Sequence, residues 1–203
     1  MIGIVDYGMG NLNSIKRKFD RISIPSIISD KPDELGKCEK LILPGIGHFC
    51  NAMKEINQRG LRNYLDEEVL VHKKPILGIC LGMQLMAKHS EEGDVDGFGW
   101  IDAEVIRFNV KDTLKYKVPH IGWNDIKIMK ECNLFTNIDM SKEFYFVHAY
   151  HFKCNNQEDI LNITDYEYPF VSAIIKDNII GVQYHPEKSH DAGEQLLKNF
   201  TKM

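Results

Sequence analysis

The first half of the chain alternates short apolar runs with segments whose apolar residues recur at helical spacing. Four runs have the length of buried strands: residues 2–5, 24–28, 40–43 and 75–80. Helical spacing marks two of the segments between them, 12–22 and 49–73. Because strands that alternate with helices form right-handed βαβ units, this pattern predicts a parallel sheet.

The second half follows a different pattern from about residue 97 onward. Apolar and polar residues alternate with a period of two in residues 100–105, and less cleanly in four further stretches: 118–128, 143–150, 169–175 and 178–184. We expect strands and hairpins there, lying at the edge of the parallel sheet. Residues 192–200 then predict a closing amphipathic helix.

Residues 1–203 contain no linker, repeat or low-complexity tract, so we expect a single domain. The predicted fold class is α/β. It consists of an open, mainly parallel sheet with flanking helices, to which the second half adds antiparallel edge strands.

Composition limits the kinds of partner and the cellular compartment that we expect for this chain. A net charge of −4 with mixed signs argues against nucleic acid. No apolar window approaches membrane-spanning length, and the segment that begins at Met1 predicts a strand rather than a signal peptide. Five cysteines without a CxxC pair argue against a disulfide framework or a zinc site, so we expect a reducing cytoplasm.

Cys80 lies where a buried strand gives way to a helix. Gly78 and Gly82 flank it, as in a Gly-x-Ser-x-Gly elbow with sulfur in place of oxygen. The start of the expected helix favours the thiolate, and the N–H groups just past the cysteine can hold an oxyanion. The alternative is a buried structural cysteine, which is how we interpret the other four.

His185 follows the apolar strand 178–184, and Glu187 comes two residues later. Residues two apart on an extended segment share a face, so the carboxylate can fix the imidazole tautomer. His-x-Glu alone would fit a surface pair equally well, but together with Cys80 it predicts a Cys-His-Glu triad. The other seven histidines lack such a partner, and we interpret them as structural or exposed, with the roles of His48 and His148 open.

Seven ordered segments carry a family resemblance: 6–11, 44–47, 78–84, 90–93, 122–124, 145–148 and 185–189. Together they resemble the class I (triad) glutamine amidotransferases, and within them the glutaminase subunits of imidazole glycerol phosphate synthases. The resemblance covers essentially the whole chain and implies the flavodoxin-like fold of that family.

The resemblance implies that Cys80 is the nucleophile, that His185 is the general base and acid, and that Glu187 orients the imidazole. The peptide groups implied for the oxyanion hole belong to Gly45, Ile46, Gly47 and Leu81. The residues implied for the amino-acid end of L-glutamine are Gln84, Glu92, His148, Ala149 and Tyr150. No metal ion or organic cofactor takes part.

The resemblance further implies a heterodimer, in which ammonia from glutamine passes to a (β/α)8-barrel synthase. That synthase forms imidazole glycerol phosphate and AICAR in histidine biosynthesis. The residues at the family's interface positions are Tyr7, Asn11, Asn13, Trp123 and Lys188. An ordinary core role for Trp123 and a solvated charge for Lys188 are the alternatives.

Three positions depart from the commonest pattern of that branch: His48, Ala149 and His190. His48 and His190 are more typical of paralogues that supply ammonia to an enzyme amidinating a surface-polysaccharide sugar. A non-catalytic scaffold and a cysteine peptidase are further alternatives. The intact triad argues against the scaffold, and Gln84 and Glu92, which suit a free amino acid, argue against the peptidase.

Overall fold

The protein is described by a computed structural model that covers residues 1–203. Its strands are β1 Ile2–Val5, β2 Ser26–Ser29, β3 Lys40–Gly45, β4 Ile76–Cys80, β5 His89–Ser90, β6 Val95–Asp96, β7 Ala103–Arg107, β8 His120–Asn124, β9 Lys127–Ile128, β10 Phe144–His148, β11 Tyr150–Cys154, β12 Ile160–Tyr166, β13 Tyr168–Lys176 and β14 Ile179–Val182. Its helices are α1 Leu12–Arg21, α2 Pro32–Leu35, α3 Phe49–Gln58, α4 Leu61–Asp66, α5 Leu81–Gln84 and α6 His190–Lys202.

One sheet of twelve strands forms the centre of the molecule, in the order β2-β1-β3-β4-β14-β13-β11-β7-β5-β6, with β12 paired to β13 and β9 paired to β12. The five strands from β2 to β14 are parallel. Beyond β14, strands β13, β11 and β7 pair antiparallel. The prediction of a mainly parallel α/β sheet with antiparallel strands in the second half is therefore confirmed.

The expected edge position of the last strand is wrong. Strand β14 lies between β4 and β13 and is buried along its whole length. Its nearly continuous apolar sequence, Ile179-Ile180-Gly181-Val182, is typical of a strand covered on both faces rather than of an edge strand. This placement brings the end of β14 beside the end of β4.

Helices cover the sheet on both sides. Residues of α3 and α4 join a buried cluster on one face, and residues of α1 and α6 join a second cluster on the other face. The segment 49–73, expected as one helical region, is interrupted at Gly60, whose φ of +69° ends the run between α3 and α4. A π-helical turn, Glu67–Val71, then extends α4.

Strand β12 was not predicted because polar residues interrupt its apolar pattern. Asn162 and Thr164 are fully buried there. Ser172 Oγ donates to Asn162 Oδ1 at 2.6 Å, and Thr164 Oγ1 donates to Ser172 Oγ at 2.8 Å. Buried polar groups that are hydrogen-bonded in this way carry little penalty, so the strand forms without a hydrophobic signature.

Strands β8 and β10 form a separate antiparallel ribbon, which packs on the sheet through aromatic and imidazole side chains. The His120 imidazole is only 3% exposed and stacks on Tyr166 and Phe146, with ring centroids 4.0 Å and 5.0 Å away. Its Nδ1 lies 3.2 Å from His148 Nε2. Burial lowers the pKa of His120 to about 4. The His120 imidazole is therefore neutral where it packs between the ribbon and the sheet.

None of the helices combines the length and the apolar character needed to cross a bilayer.

We expect a His120→Phe variant to lose less stability than the wild type when the pH falls from 7.5 to 5. The pKa of His120 is about 4 in the folded chain and returns to about 6.5 on unfolding. The unfolded state therefore binds this proton first, and stability falls as the pH drops from 6.5 toward 4, by about 2 kcal/mol at pH 5. Urea unfolding at both pH values measures the difference. An equal loss in the two proteins would mean that His120 is not its source.

Candidate active site

The site lies at the carboxyl edge of three neighbouring parallel strands. Cys80 is the last residue of β4 and is in register with Gly45 at the end of β3. On the other side, Val182 of β14 pairs with Ile79, and His185 follows three residues later. The carboxyl ends of parallel strands in open α/β sheets are where ligands bind, because the loops that follow them diverge and leave a crevice.

Cys80 has a strained backbone, with φ of +54° and ψ of −113°. Glycine is required on both sides of it for packing. A Cβ at Gly82 would lie 1.7 Å from the Leu43 carbonyl oxygen, and one at Gly78 would lie 2.8 Å from the Gly82 carbonyl oxygen. This is the geometry of a nucleophile elbow, in which a tight turn projects the side chain of the central residue out of the sheet.

The helix expected after Cys80 is short. Helix α5 is a single turn. Backbone N–H groups of the loop 97–101 then donate hydrogen bonds to the carbonyl groups that a longer helix would have used. Phe98 N donates to Leu85 O at 2.8 Å, and Ile101 N donates to Met86 O at 3.0 Å. One turn has a small dipole, so the start of α5 contributes little electrostatic potential at the sulfur.

His185 and Glu187 are joined by a hydrogen bond of 2.8 Å between Nδ1 and Oε1. A 3₁₀ turn at Pro186–Lys188, rather than an extended segment, brings the two side chains together. Helix α6 supports this turn closely, since a Cβ at Gly193 would lie 1.9 Å from the Pro186 carbonyl oxygen. His185 Nε2 is buried and has no hydrogen-bond partner in the protein, which leaves it available to the cavity.

Opposing effects act on the His185 imidazole. Burial alone would lower its pKa, but the negative charge of Cys80, together with the hydrogen bond to Glu187 and its charge, raises the pKa above its ordinary value. The proton on the ring is therefore held by two anionic neighbours. Such an imidazolium can protonate a leaving group in front of Cys80.

A cavity of about 300 Å³ opens in front of Cys80 and His185. Its other lining residues are Ile46, Gly47, Leu81, Gln84, Glu92, Val147, His148, Ala149, Tyr150 and Lys188. Every residue predicted to bind substrate is among them except Gly45. Gly45 packs instead behind the cavity, where a Cβ would lie 2.5 Å from Tyr7 Oη and 2.8 Å from Leu81 Cβ.

Two acceptor groups in this cavity are held in place by the protein. Glu92 Oε2 accepts a hydrogen bond of 2.8 Å from Phe49 N at the start of α3. Gln84 uses its Nε2 for Tyr150 O and for Gln183 Oε1, so its own Oε1 remains free to accept. The His148 imidazole is engaged elsewhere, because Nδ1 lies 2.7 Å from Tyr150 O and Nε2 faces His120, so the ring is not available to a ligand.

The residues predicted for a partner interface lie in different environments. Tyr7 is fully buried and donates to Pro44 O at 2.7 Å, so its side chain supports the loop after β3 and does not face a partner. Asn11 is half-buried and Asn13 is exposed. Trp123 is 41% exposed, and Lys188 is exposed with its Nζ 5.2 Å from the Tyr145 ring centroid.

Two of the three positions that depart from the commonest family pattern, His48 and His190, contact neighbouring residues in the structure. His48 Nδ1 accepts a hydrogen bond of 3.3 Å from Cys50 N and so caps α3. His190 stacks on Trp123, with ring centroids 4.8 Å apart and ring planes inclined by 3°.

No three His, Cys, Asp or Glu side chains converge in an arrangement that would hold a metal ion.

The sequence interpretation missed Gln183. This residue is fully buried, and its Nε2 lies 3.7 Å from Cys80 Sγ. A signal for it existed, since it is a polar residue that interrupts the apolar run after Asn178 and lies two positions before His185.

Residues 3–203 match the family model described as glutamine amidotransferase class-I. Imidazole glycerol phosphate synthase subunit HisH 2 of Methanococcus maripaludis is 46% identical, over 100% of this chain and 99% of that protein. Imidazole glycerol phosphate synthase subunit HisH 1 of Campylobacter jejuni strain RM1221 is 44% identical, over 100% of both chains. A solved structure described as glutamine amidotransferase has a TM-score of 0.75 at 17% identity and covers 99% of this chain and 97% of its own, which shows the fold.

We expect Gly82→Ala to disrupt the elbow and to destabilise the protein by about 3 kcal/mol or more, the upper end for overpacking, because the new methyl group would meet backbone that cannot rotate away. For a chain of this size the loss corresponds to a fall in Tm of roughly 10 °C. Gly36→Ala is the matched control, since Gly36 has an ordinary φ of −59° and a nearest contact of 3.1 Å. Differential scanning calorimetry of both variants checks this, and equal Tm values would contradict it.

Proposed function

Because the chain belongs to the class-I glutamine amidotransferases, which are enzymes that hydrolyse glutamine, we propose that Cys80, His185 and Glu187 are its catalytic triad. The observation that carries the proposal is the strained Cys80 elbow facing a buried His185–Glu187 pair across one cavity. The whole chain acts as one amidotransferase domain, because β14 from the second half completes the site that β4 begins.

The reaction follows from this arrangement. The Cys80 thiolate attacks the side-chain amide carbon of L-glutamine, and the resulting oxyanion is held by peptide N–H groups of Ile46 and Leu81. His185 gives its proton to the departing ammonia, and the glutamyl thioester forms. Water, deprotonated by His185, then hydrolyses the thioester and releases glutamate.

The amino-acid end of glutamine binds at the opposite side of the cavity. Its ammonium group is held by Glu92 and by Gln84 Oε1, both of which are acceptors fixed by the protein. Backbone groups of residues 148–150 hold the carboxylate. A cavity of about 300 Å³ is at the lower end of the range for small-molecule sites, which suits one free amino acid better than a peptide.

We further propose that the protein is the glutaminase subunit of an imidazole glycerol phosphate synthase and acts in histidine biosynthesis. The names of its full-length relatives support this assignment and do not favour the polysaccharide alternative. The triad and the two ligand acceptors argue against a scaffold. Five free cysteines suit the reducing cytoplasm expected from the sequence.

The partner is a (β/α)8-barrel synthase that receives ammonia directly. Trp123, Tyr145, Lys188 and His190 form a contiguous patch, which we call the Trp123 surface. Lys188 belongs both to this surface and to the cavity lining, so a partner docked on it would cover the cavity mouth. Tryptophan and tyrosine are enriched among the residues that contribute most to binding at protein interfaces.

Replacing Cys80 with alanine should abolish glutamine-dependent synthesis and leave ammonium-dependent synthesis intact. Loss of the nucleophile removes only acyl transfer and typically costs on the order of 10⁴-fold or more. The assay uses the reconstituted synthase complex with glutamine and then with an ammonium salt, and Cys132→Ala is the control for a cysteine outside the cavity. Glutamine turnover that persists in Cys80→Ala would refute the triad.

The isolated chain should hydrolyse glutamine slowly and be activated by the synthase with its own substrate bound. Tyr7 and the register with Cys80 fix the start of the loop after β3, whereas Ile46 and Gly47 are exposed and Gly47 has φ of +103°. The Ile46–Gly47 part of this loop can therefore rotate when a partner docks. Until it does, one oxyanion donor points away from the cavity, and the loss of one such donor lowers kcat by about 10²–10³-fold.

Steady-state glutaminase rates with and without the synthase measure this activation. Trp123→Ala should weaken it, while Leu114→Ala, which truncates an 88% exposed apolar side chain elsewhere, should not. Equal rates in all conditions would rule out activation by the partner and leave the triad unaffected.

A further inference from the structure

Besides the imidazole, two polar groups approach the sulfur of Cys80. Gln183 Nε2 lies 3.7 Å away and Val147 O lies 3.9 Å away. They favour opposite protonation states, because a carbonyl oxygen accepts from a thiol whereas an amide N–H donates to a thiolate. Gln183 is the closer of the two and is fully buried, so water does not compete for its amide.

The orientation of the Gln183 amide is determined by a chain of hydrogen bonds that begins at a backbone carbonyl. Tyr150 O can only accept, so the group of Gln84 that lies 3.0 Å from it must be Nε2. The same Nε2 lies 2.9 Å from the Gln183 amide, which must therefore present its oxygen. The nitrogen of Gln183 is consequently the atom that faces sulfur.

The other end of this chain is also fixed. His148 Nδ1 donates to Tyr150 O at 2.7 Å, so His148 Nε2 must be the acceptor for His120 Nδ1, 3.2 Å away. Two donors thus hold the Tyr150 carbonyl in one place. An amide whose direction is set in this way needs no rearrangement when the thiolate forms, which is the property that makes a buried dipole effective.

Resting on the proposed role of Cys80, we propose that Gln183 is a further catalytic residue, whose amide N–H stabilises the Cys80 thiolate. Gln84 keeps that amide in its donating orientation and at the same time offers Oε1 to the ammonium group of glutamine. The substrate and the nucleophile are therefore connected through two side-chain amides. Neither amide is consumed, and no proton leaves them during the reaction.

The test is the pH dependence of Cys80 alkylation by iodoacetamide in the full chain, followed by mass spectrometry of the Cys80 peptide. Gln183→Met removes donor and acceptor. Gln183→Glu keeps an acceptor for Gln84 but replaces the donor with a carboxylate, which adds a negative charge beside the sulfur and opposes the thiolate further. Gln84→Met, on a different element, removes the group that orients the amide.

We expect Gln183→Met and Gln84→Met to move the midpoint of the alkylation profile upward by about one pH unit, since a hydrogen bond to a charged group contributes a factor of about ten or more. Gln183→Glu should move the midpoint further, because its carboxylate repels the thiolate. The kcat for glutamine should fall about tenfold in the Gln183 variants with KM little changed, because Gln183 does not touch the substrate. Gln195→Glu on α6 is the matched control and should keep the wild-type profile.

A wild-type alkylation profile in Gln183→Glu and Gln84→Met would overturn the proposal. So would a loss of kcat without a shift of the profile, because that result would indicate a structural bridge. A shifted profile in a protein whose wild type does not hydrolyse glutamine would uphold the role of Gln183 and refute the proposed function, so the two can fail separately.

Discussion

The contact between the Cys80 elbow and strand β3 determines the geometry of the site. Gly82 lies so close to the Leu43 carbonyl that no side chain fits at this position. With that distance fixed, Cys80 must take a positive φ, and its sulfur is directed to the cavity rather than into the sheet. The same contact places Leu81 against Gly45, so the two loops that carry the expected oxyanion donors meet. The backbone strain at Cys80 persists because packing on both sides of it leaves no alternative.

Histidines on two sides of one cavity are driven to opposite charge states by their surroundings. Burial among aromatic rings lowers the pKa of His148 well below its ordinary value and keeps it neutral. His185 is equally buried, but the carboxylate of Glu187 and the sulfur of Cys80 outweigh that burial and raise its pKa. The neutral ring serves as a fixed hydrogen-bonding element, and the charged ring can move a proton. When different surroundings separate the pKa values of two residues of the same type, the two residues can take different chemical roles.

The sequence predicted the features that depend on local pattern and missed those that depend on contacts between distant segments. Strand β1 and helix α1 appear where apolar spacing placed them, and the Cys80 elbow follows from two glycines. The short α5 could not be foreseen, because the loop 97–101 ends it from a distance. Tyr7 was assigned to a partner surface, although its hydroxyl serves Pro44 inside the protein. Gln183 escaped notice because a glutamine acquires a role only through its neighbours, and Gln84 and Cys80 lie about a hundred positions earlier in the chain.

The late position of β14 in the chain has a consequence for biosynthesis. Strand β4 is made first, but its neighbour in the sheet comes from residues 179–182, about a hundred positions later in the chain. A nascent chain on the ribosome therefore carries β4 as an open parallel edge, the kind of edge that pairs with other chains. It also carries Cys80 without the His185–Glu187 pair, because these two residues follow β14 in the chain. The nascent protein is thus most prone to aggregate before β14 has emerged, and the three side chains that face the cavity meet only after that strand has been made.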